Sequence, residues 1–223
     1  HDKSFITKII SSVLWKVQGR QANPNLTVTV SKRMSAYVQQ RMEINNILEV
    51  PTCTSLDVFK PKQETSRKYF TYLGSGAGWQ AIDLLEKVWY EIHRQNPAVL
   101  FRVISRDARC KMLGNRIPAS NIEFVQSSDF SVVASYLHEA EAGFLIRRDS
   151  IVNRVCFPTK LGEYLASGSW VVSSKIDWDL AEYFSQYNIG LLVDPESNPV
   201  NMAAEILSYR QKVLNNPASL NIE

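Results

Sequence analysis

Three segments of the sequence place glycines, cations and carboxylates where a predicted strand ends and a helix begins. They are residues 74–78, residues 105–107 and residues 147–168. A helix N-terminus presents unpaired amides and a partial positive charge, so it binds phosphate groups readily. The chemistry that this arrangement predicts is the binding of an anionic, phosphate-bearing ligand.

The first segment, residues 74–78, has the sequence GSGAG. Glycines let the backbone approach a ligand closely and permit positive φ angles. The GxGxG spacing differs from the dinucleotide pattern GxGxxG, and no acidic residue ends the next strand, where a ribose-binding carboxylate would stand. Two interpretations therefore remain open, a ligand-binding loop and a tight turn without a ligand.

The second segment is Ser105-Arg106-Asp107, at the end of the next predicted strand. An arginine in this position can stack on a base or pair with a phosphate. The alternative is a surface salt bridge between Arg106 and Asp107, which would carry no function.

The third segment contains PTKLGEYLASG at residues 158–168. Pro158 suits the first turn of a helix, and Gly168 suits its C-terminal cap. Thr159 and Lys160 then lie among the free amides, where a cation opposes the helix dipole unless an anion is bound nearby. Glu163, four residues after Thr159, faces the same side and can accept hydrogen bonds from two sugar hydroxyls. The alternative is a solvated amphipathic helix.

Alternating strands and helices must position these segments. Six short apolar runs from residue 68 onward predict strands, separated by segments with helical periodicity, for example Ile82, Leu85, Trp89 and Ile92. This order predicts an α/β fold, a doubly wound, Rossmann-like parallel sheet with helices on both faces. Ligands of such sheets bind beyond the carboxyl ends of the strands. The strands are predicted at residues 69–73, 99–104, 122–125, 143–146, 170–173 and 190–193.

The chain upstream of this sheet has a different organisation. Residues 4–17 form a helical apolar stripe, interpreted as core-facing, with a basic membrane-surface helix as the alternative. Residues 26–30 predict a strand, and Ser31 is placed to cap the following helix. A second strand, at residues 46–50, ends at Pro51. Residues 52–67 are largely polar and predict a linker.

Composition limits the classes of protein. Hydrophobic residues make up 45% and charged residues 21% of the 223 residues, as in an ordinary globular protein. The formal net charge of +3 fits an anionic ligand or a membrane surface, but is too small to favour nucleic acid. Three widely spaced cysteines indicate reduced thiols and no metal site. No apolar run approaches the roughly 20 residues of a membrane span.

Residues 158–172, PTKLGEYLASGSWVV, resemble the donor-site segment of retaining GT-B glycosyltransferases of the family-four type, which build bacterial surface polysaccharides among other glycans. Residues 72–79 resemble the glycine loop that opens their C-terminal domain, and residues 28–34 resemble the stretch before the linker. The resemblance implies two Rossmann-like domains with the active site between them. It assigns residues 1–51 to the end of the N-terminal acceptor domain, 52–67 to the linker, and 68–223 to the C-terminal nucleotide-sugar-binding domain.

The resemblance also implies an activity. Such an enzyme moves a sugar from a nucleoside-diphosphate sugar to a glycan or lipid-linked acceptor, without a cofactor or metal. This chain would be mainly the donor-binding half, inactive without the missing acceptor domain. The expected location is the cytoplasm, with peripheral association at the inner membrane face. The alternatives are a non-catalytic Rossmann-like binding module and a nucleotide-sugar epimerase or hydrolase of the same fold. The donor sugar, its base, the acceptor and the oligomeric state stay open.

Site roles follow from the resemblance by position. Glu163 would bind the ribose hydroxyls, and residues 157–160 would contact the diphosphate. Arg148 and Lys160 are the candidates for catalysis. The full predicted donor-binding set is Gly74, Ser75, Gly76, Arg106, Val125, Gln126, Arg147, Arg148, Asp149, Asn153, Phe157, Pro158, Thr159, Lys160 and Glu163.

The chain departs from the family at one important position. The paired glutamates that are frequent in the family lie eight residues apart, so the first would stand at Val155, which cannot hold sugar hydroxyls. Asp149, Asn153 and the pair Arg147–Arg148 are the candidates to replace it.

Overall fold

The computed structural model describes residues 25–61, 66–176 and 178–220. The apolar stripe predicted as a helix at residues 4–17 lies outside these residues. The first described elements form a small unit in which strand β1 (Thr27–Thr29) pairs in parallel with strand β2 (Ile47–Glu49). Helix α1 (Lys32–Met42) connects the two strands. Ser31 caps α1 as expected, because its side chain accepts a hydrogen bond from the Met34 amide at 3.0 Å.

A six-stranded parallel sheet occupies the remainder of the described chain. Its spatial order is β5-β4-β3-β6-β7-β8, so the winding reverses between β3 and β6. This order confirms the predicted doubly wound, Rossmann-like sheet. The strands are β3 (Tyr69–Leu73), β4 (Leu100–Ile104), β5 (Ile122–Val125), β6 (Ala140–Leu145), β7 (Trp170–Ser174) and β8 (Gly190–Val193).

Helices cover both faces of this sheet, because five of them present an apolar side to it. The side chains of α2 and α7 join one buried core, and those of α3, α5 and α6 join the other. None of the described helices is long and apolar enough to cross a bilayer. The helices are α2 (Ile82–Gln95), α3 (Phe130–Leu137), α4 (Ile151–Val155), α5 (Thr159–Ala166), α6 (Leu180–Gln186) and α7 (Pro199–Asn215).

Helix α5 is anchored to the sheet through Tyr164. The phenol oxygen accepts a hydrogen bond from the Leu73 amide at 2.7 Å and donates to the Thr71 carbonyl at 3.2 Å, both on β3. To reach β3, the ring passes over Gly143 of β6, where an added Cβ atom would overlap the ring. Gly143 therefore fixes how closely α5 approaches the sheet.

We expect Gly143→Ala to lower the free energy of unfolding by about 2 kcal/mol, within the range for overpacking a filled core. Urea denaturation measures the change. Gly78→Ala is the control, because a Cβ atom there would meet no atom within 4 Å. Equal stability of the two variants would contradict the contact between Gly143 and Tyr164.

Candidate functional site

A cleft of about 570 Å³ opens at the carboxyl ends of the strands. The loops that follow β3, β4, β5 and β6 all contribute to its wall, together with the start of α5. It lies where the winding of the sheet reverses, the position at which open parallel sheets bind ligands. Of the predicted site residues, those that line it are Gly74, Ser75, Arg106, Arg147, Asn153, Pro158, Thr159, Lys160 and Glu163.

Six predicted site residues lie outside the cleft lining. Two of them are held in ion pairs on the surface. Arg148 donates to both carboxylate oxygens of Asp83, each at 2.7 Å. Asp149 accepts from Arg154 at 2.6 and 2.5 Å. Each of these charges therefore already has a partner of opposite sign.

The other four lie in or next to the same strand-to-helix connections but do not line the cleft. Val125 is buried in the core at the end of β5, whereas Gln126 is exposed. Phe157 is buried, with its ring centroid 5.2 Å from that of Tyr183. The Gly76 amide donates to the Asp107 carboxylate at 2.8 Å.

Asp107 holds the glycine loop in place. Its carboxylate also accepts from the Arg109 side chain and amide. The Arg109 side chain, followed by the amides of Arg109 and Gly76, holds the pKa of this carboxyl well below its ordinary value. On the other side of the loop, the buried Tyr72 hydroxyl donates to the Ser75 carbonyl at 2.7 Å. The loop is therefore fixed from two directions.

The lowered pKa of Asp107 predicts a pH-dependent contribution to stability. A carboxyl whose pKa falls on folding stabilises the protein above its unfolded-state pKa of about 3.9, and this contribution is lost as the pH falls through the folded-state value. We expect Asp107→Asn to melt below the wild type near neutral pH, with a difference that shrinks below about pH 4. Thermal melts from pH 7 to pH 2 measure it. Parallel curves would contradict the role of the charged carboxylate.

The start of α5 carries no capping side chain. Pro158 occupies the N-cap position and makes no side-chain hydrogen bond, whereas the Leu161 amide donates to the Pro158 carbonyl at 3.1 Å. Thr159 and Lys160 follow, and both line the cleft. The amides of this first turn are thus available to an anion in the cleft.

Glu163 lies one turn into α5 and is 5% exposed. Lys160 donates to both of its carboxylate oxygens, at 2.8 and 3.1 Å. Both residues line the cleft, so the pair places one negative and one positive group at the same wall. A ligand with a phosphate and neighbouring hydroxyls matches both groups.

Arg147 follows β6 and is 5% exposed. Its guanidinium donates to the Ile146 carbonyl at 3.0 Å, and no carboxylate of the described residues pairs with it. Burial lowers the pKa of the Arg147 guanidinium. A buried cation without a counter-ion is costly, so its presence in a cleft indicates an anionic ligand.

Asn153 ties α4 to the glycine loop. Its side-chain amide nitrogen donates to the Trp79 carbonyl at 3.1 Å and to the Arg148 carbonyl at 2.8 Å. The residue is 1% exposed, and within the described chain its Oδ1 accepts no hydrogen bond. Asn153 lines the cleft, and its side chain there fixes the backbone on both sides of the glycine loop and α4 entry.

Sequence reasoning missed several residues of the cleft wall. Trp79 is 53% and Phe130 is 62% exposed, both unusually open for large aromatic side chains. Ser128 lines the wall beside them and accepts from Arg106 at 3.2 Å. Their position in the segments between a strand and the next helix was the available signal, because every strand-to-helix connection of such a sheet contributes to the same edge.

The sheet order, with a cleft at its winding reversal, is that of a Rossmann-like domain of the kind that forms the C-terminal half of GT-B glycosyltransferases. The sequence pattern of the family described as "Glycosyl transferases group 1" matches residues 67–211. The chain belongs to this family. No curated protein sequence matches it significantly.

Solved structures share the fold at low sequence identity. TarM is 14% identical with a TM-score of 0.69, over 92% of this chain and 39% of that one. Sucrose-phosphate synthase from Thermosynechococcus elongatus is 17% identical with a TM-score of 0.68, over 99% of this chain and 55% of that one. WaaG, a glycosyltransferase involved in lipopolysaccharide biosynthesis, is 16% identical with a TM-score of 0.62, over 87% of this chain and 55% of that one. This chain therefore spans about two fifths to just over half of their lengths.

Proposed function

We propose that the cleft binds a nucleoside-diphosphate sugar, and that the chain is the donor-binding part of a glycosyltransferase that retains the anomeric configuration. The observation that carries this proposal is the meeting of three groups in one cleft. They are the buried guanidinium of Arg147, which pairs with no carboxylate of the described residues, the uncapped start of α5, and the buried carboxylate of Glu163.

The diphosphate is assigned to the space between Arg147 and the start of α5. The guanidinium offers several fixed donors, and the helix amides add a partial positive charge. Lys160 adds a second cation from the same turn. During transfer, negative charge grows on the departing nucleoside diphosphate, and preorganised donors of this kind stabilise it.

The ribose is assigned to Glu163. A carboxylate accepts hydrogen bonds from two neighbouring hydroxyls, as the 2′ and 3′ positions provide. The Lys160 ammonium donates to both carboxylate oxygens of Glu163. Binding of the diphosphate draws the Lys160 ammonium toward the phosphates and leaves Glu163 for the pentose.

The base and the sugar are assigned to opposite ends of the cleft. Arg106, Ser128 and Phe130 lie on the side of β4 and β5, and provide donors and an aromatic surface for a base. Trp79 and Asn153 lie on the side of β3 and β6. Asn153, which lines the cleft, is assigned to the sugar in place of the glutamate that position 155 lacks.

The acceptor side belongs to the rest of the enzyme. We assign residues 1–51 to the end of that half and residues 52–67 to the linker. We propose a glycan or lipid-linked acceptor, in keeping with the lipopolysaccharide role of WaaG. A cytoplasmic enzyme that works peripherally at the inner membrane face fits such an acceptor. Because the acceptor groups lie elsewhere, this chain alone binds donor and turns over little.

Isothermal titration calorimetry with UDP, GDP and their sugars tests the proposal. We expect saturable binding of at least one nucleoside diphosphate and weaker binding of the corresponding nucleoside. Absence of nucleotide binding would overturn the assignment and favour a non-catalytic module.

A further inference from the structure

Two hydroxyl groups from the upstream part of the chain hold the loop that leads into α5. Ser31, the cap of α1, donates to the Val155 carbonyl at 2.7 Å. Thr52, in the segment after β2, donates to the Phe157 carbonyl at 2.8 Å. These carbonyls flank Cys156 immediately before Pro158, so both bonds act on the backbone that sets where α5 begins.

The same upstream segments make further contacts with α5 and with the residue that precedes α6. Asp179, just before α6, accepts from the Lys32 amide and from the Arg33 side chain, the latter at 2.7 Å. Thr54 lies against α5, since its Cβ atom would be 3.3 Å from a Cβ atom added at Gly162. The upstream segments and the entry to α5 therefore form one packed assembly.

This packing matters because α5 has no side-chain cap of its own. Its first turn is placed by the preceding loop, and the loop is held from upstream through Ser31 and Thr52. We infer that Ser31 and Thr52 are positioning residues that set the diphosphate-binding turn of α5, so that the end of the acceptor half and the linker govern donor affinity through them. The inference rests on the proposed function.

The coupling between the upstream contacts and donor affinity also acts from the donor toward the upstream contacts. If the upstream unit raises donor affinity, bound donor must stabilise the contact with the upstream unit by the same factor. The donor-loaded enzyme would hold its two halves more firmly than the free enzyme. This would tie donor binding to assembly of the cleft between the halves.

UDP titrations of Ser31→Ala, Thr52→Val and the double variant test the inference. Loss of one hydroxyl-to-carbonyl bond should raise the Kd about threefold to tenfold, and the double variant should raise it about tenfold to thirtyfold. Ser35→Ala is the matched control, because its hydroxyl bonds only within the upstream unit, to Thr29 and the Ser31 carbonyl. It should leave the Kd unchanged.

Hydrogen exchange separates positioning from general stability and needs no nucleotide. In the double variant, the hydrogen-bonded amides of residues 161–165 should exchange faster while those of α2 keep their wild-type rates. An unchanged Kd, or unchanged exchange at residues 161–165, would overturn the inference even if the melting temperature fell. If the wild type bound neither UDP nor GDP, the proposed function would fail, and the exchange result would still decide whether Ser31 and Thr52 position the turn.

Discussion

Replacing Arg147 with methionine is expected to weaken UDP binding about a hundredfold, which corresponds to about 2.7 kcal/mol. The guanidinium is buried in the cleft and has no carboxylate partner among the described residues. Hydrogen bonds to a charged group contribute about 1.5–3 kcal/mol, and a diphosphate would take at least one from this side chain. Calorimetry on matched wild-type and variant samples gives the ratio of dissociation constants.

The same substitution should leave the fold as stable as before or more so. Methionine removes an uncompensated buried cation and keeps most of the side-chain volume, and such exchanges are often neutral or stabilising. Arg94→Met is the control, because Arg94 lies on the surface, paired with Glu91 at 2.8 Å and remote from the cleft. Unchanged affinity in Arg147→Met, or a loss matched by Arg94→Met, would refute the assigned role of Arg147.

Glu163→Gln is expected to weaken UDP binding about thirtyfold, because glutamine is neutral and cannot accept with both terminal atoms. The shape of the side chain is nearly kept, so the α5 turn should stay in place. The decisive comparison uses 2′,3′-dideoxy-UDP, which lacks both ribose hydroxyls. The wild type should bind this analogue about as weakly as the variant binds UDP, and the variant should distinguish little between the two ligands.

The comparison of two proteins with two ligands is a double-mutant cycle. It isolates the contact between the Glu163 carboxylate and the pentose from indirect effects on diphosphate binding. Lys160→Met provides the complementary control. It should weaken UDP and the dideoxy analogue by the same factor, because it removes a phosphate contact and leaves Glu163 free. If Glu163→Gln weakened both ligands equally, Glu163 would act through Lys160 and not on the ribose.

The fold was predictable because each strand and helix of the sheet domain shows its pattern within its own short segment of sequence. The segment YFTYL at β3 is a short apolar run that ends at a glycine, and four of its five residues are buried. In α2, Ile82, Leu85, Trp89 and Ile92 recur at helical spacing, and all are buried. Each element therefore carried its own signal, and parallel pairing followed from the alternation of strands and helices.

Part of the cleft was predictable for a similar reason. Pro158, Thr159, Lys160 and Glu163 lie within one helix start, so their shared orientation follows from helix geometry alone. Arg147 was predicted to lie near the ligand because it follows the carboxyl end of a parallel strand, where such sheets bind their ligands. Their assignment to phosphate and ribose remains a prediction for the experiments above.

The rest of the cleft depends on distant parts of the chain. Arg148 follows Arg147 directly, yet it pairs with Asp83, 65 residues away, and so lies outside the lining. Phe130 follows the capping residue Asp129. Its large apolar side chain is of the type that is usually buried in a core, but the packing of α3 leaves it exposed. Helix α4 spans five residues, too few to show a period in the sequence.

A crystal structure of the chain soaked with UDP tests the central claim most directly. The diphosphate should lie between the Arg147 guanidinium and the amides of Thr159 and Lys160, with the ribose hydroxyls within hydrogen-bond distance of Glu163. A nucleotide bound elsewhere, or one in this cleft whose pentose lies away from Glu163 while Lys160 keeps both carboxylate oxygens, would contradict the account.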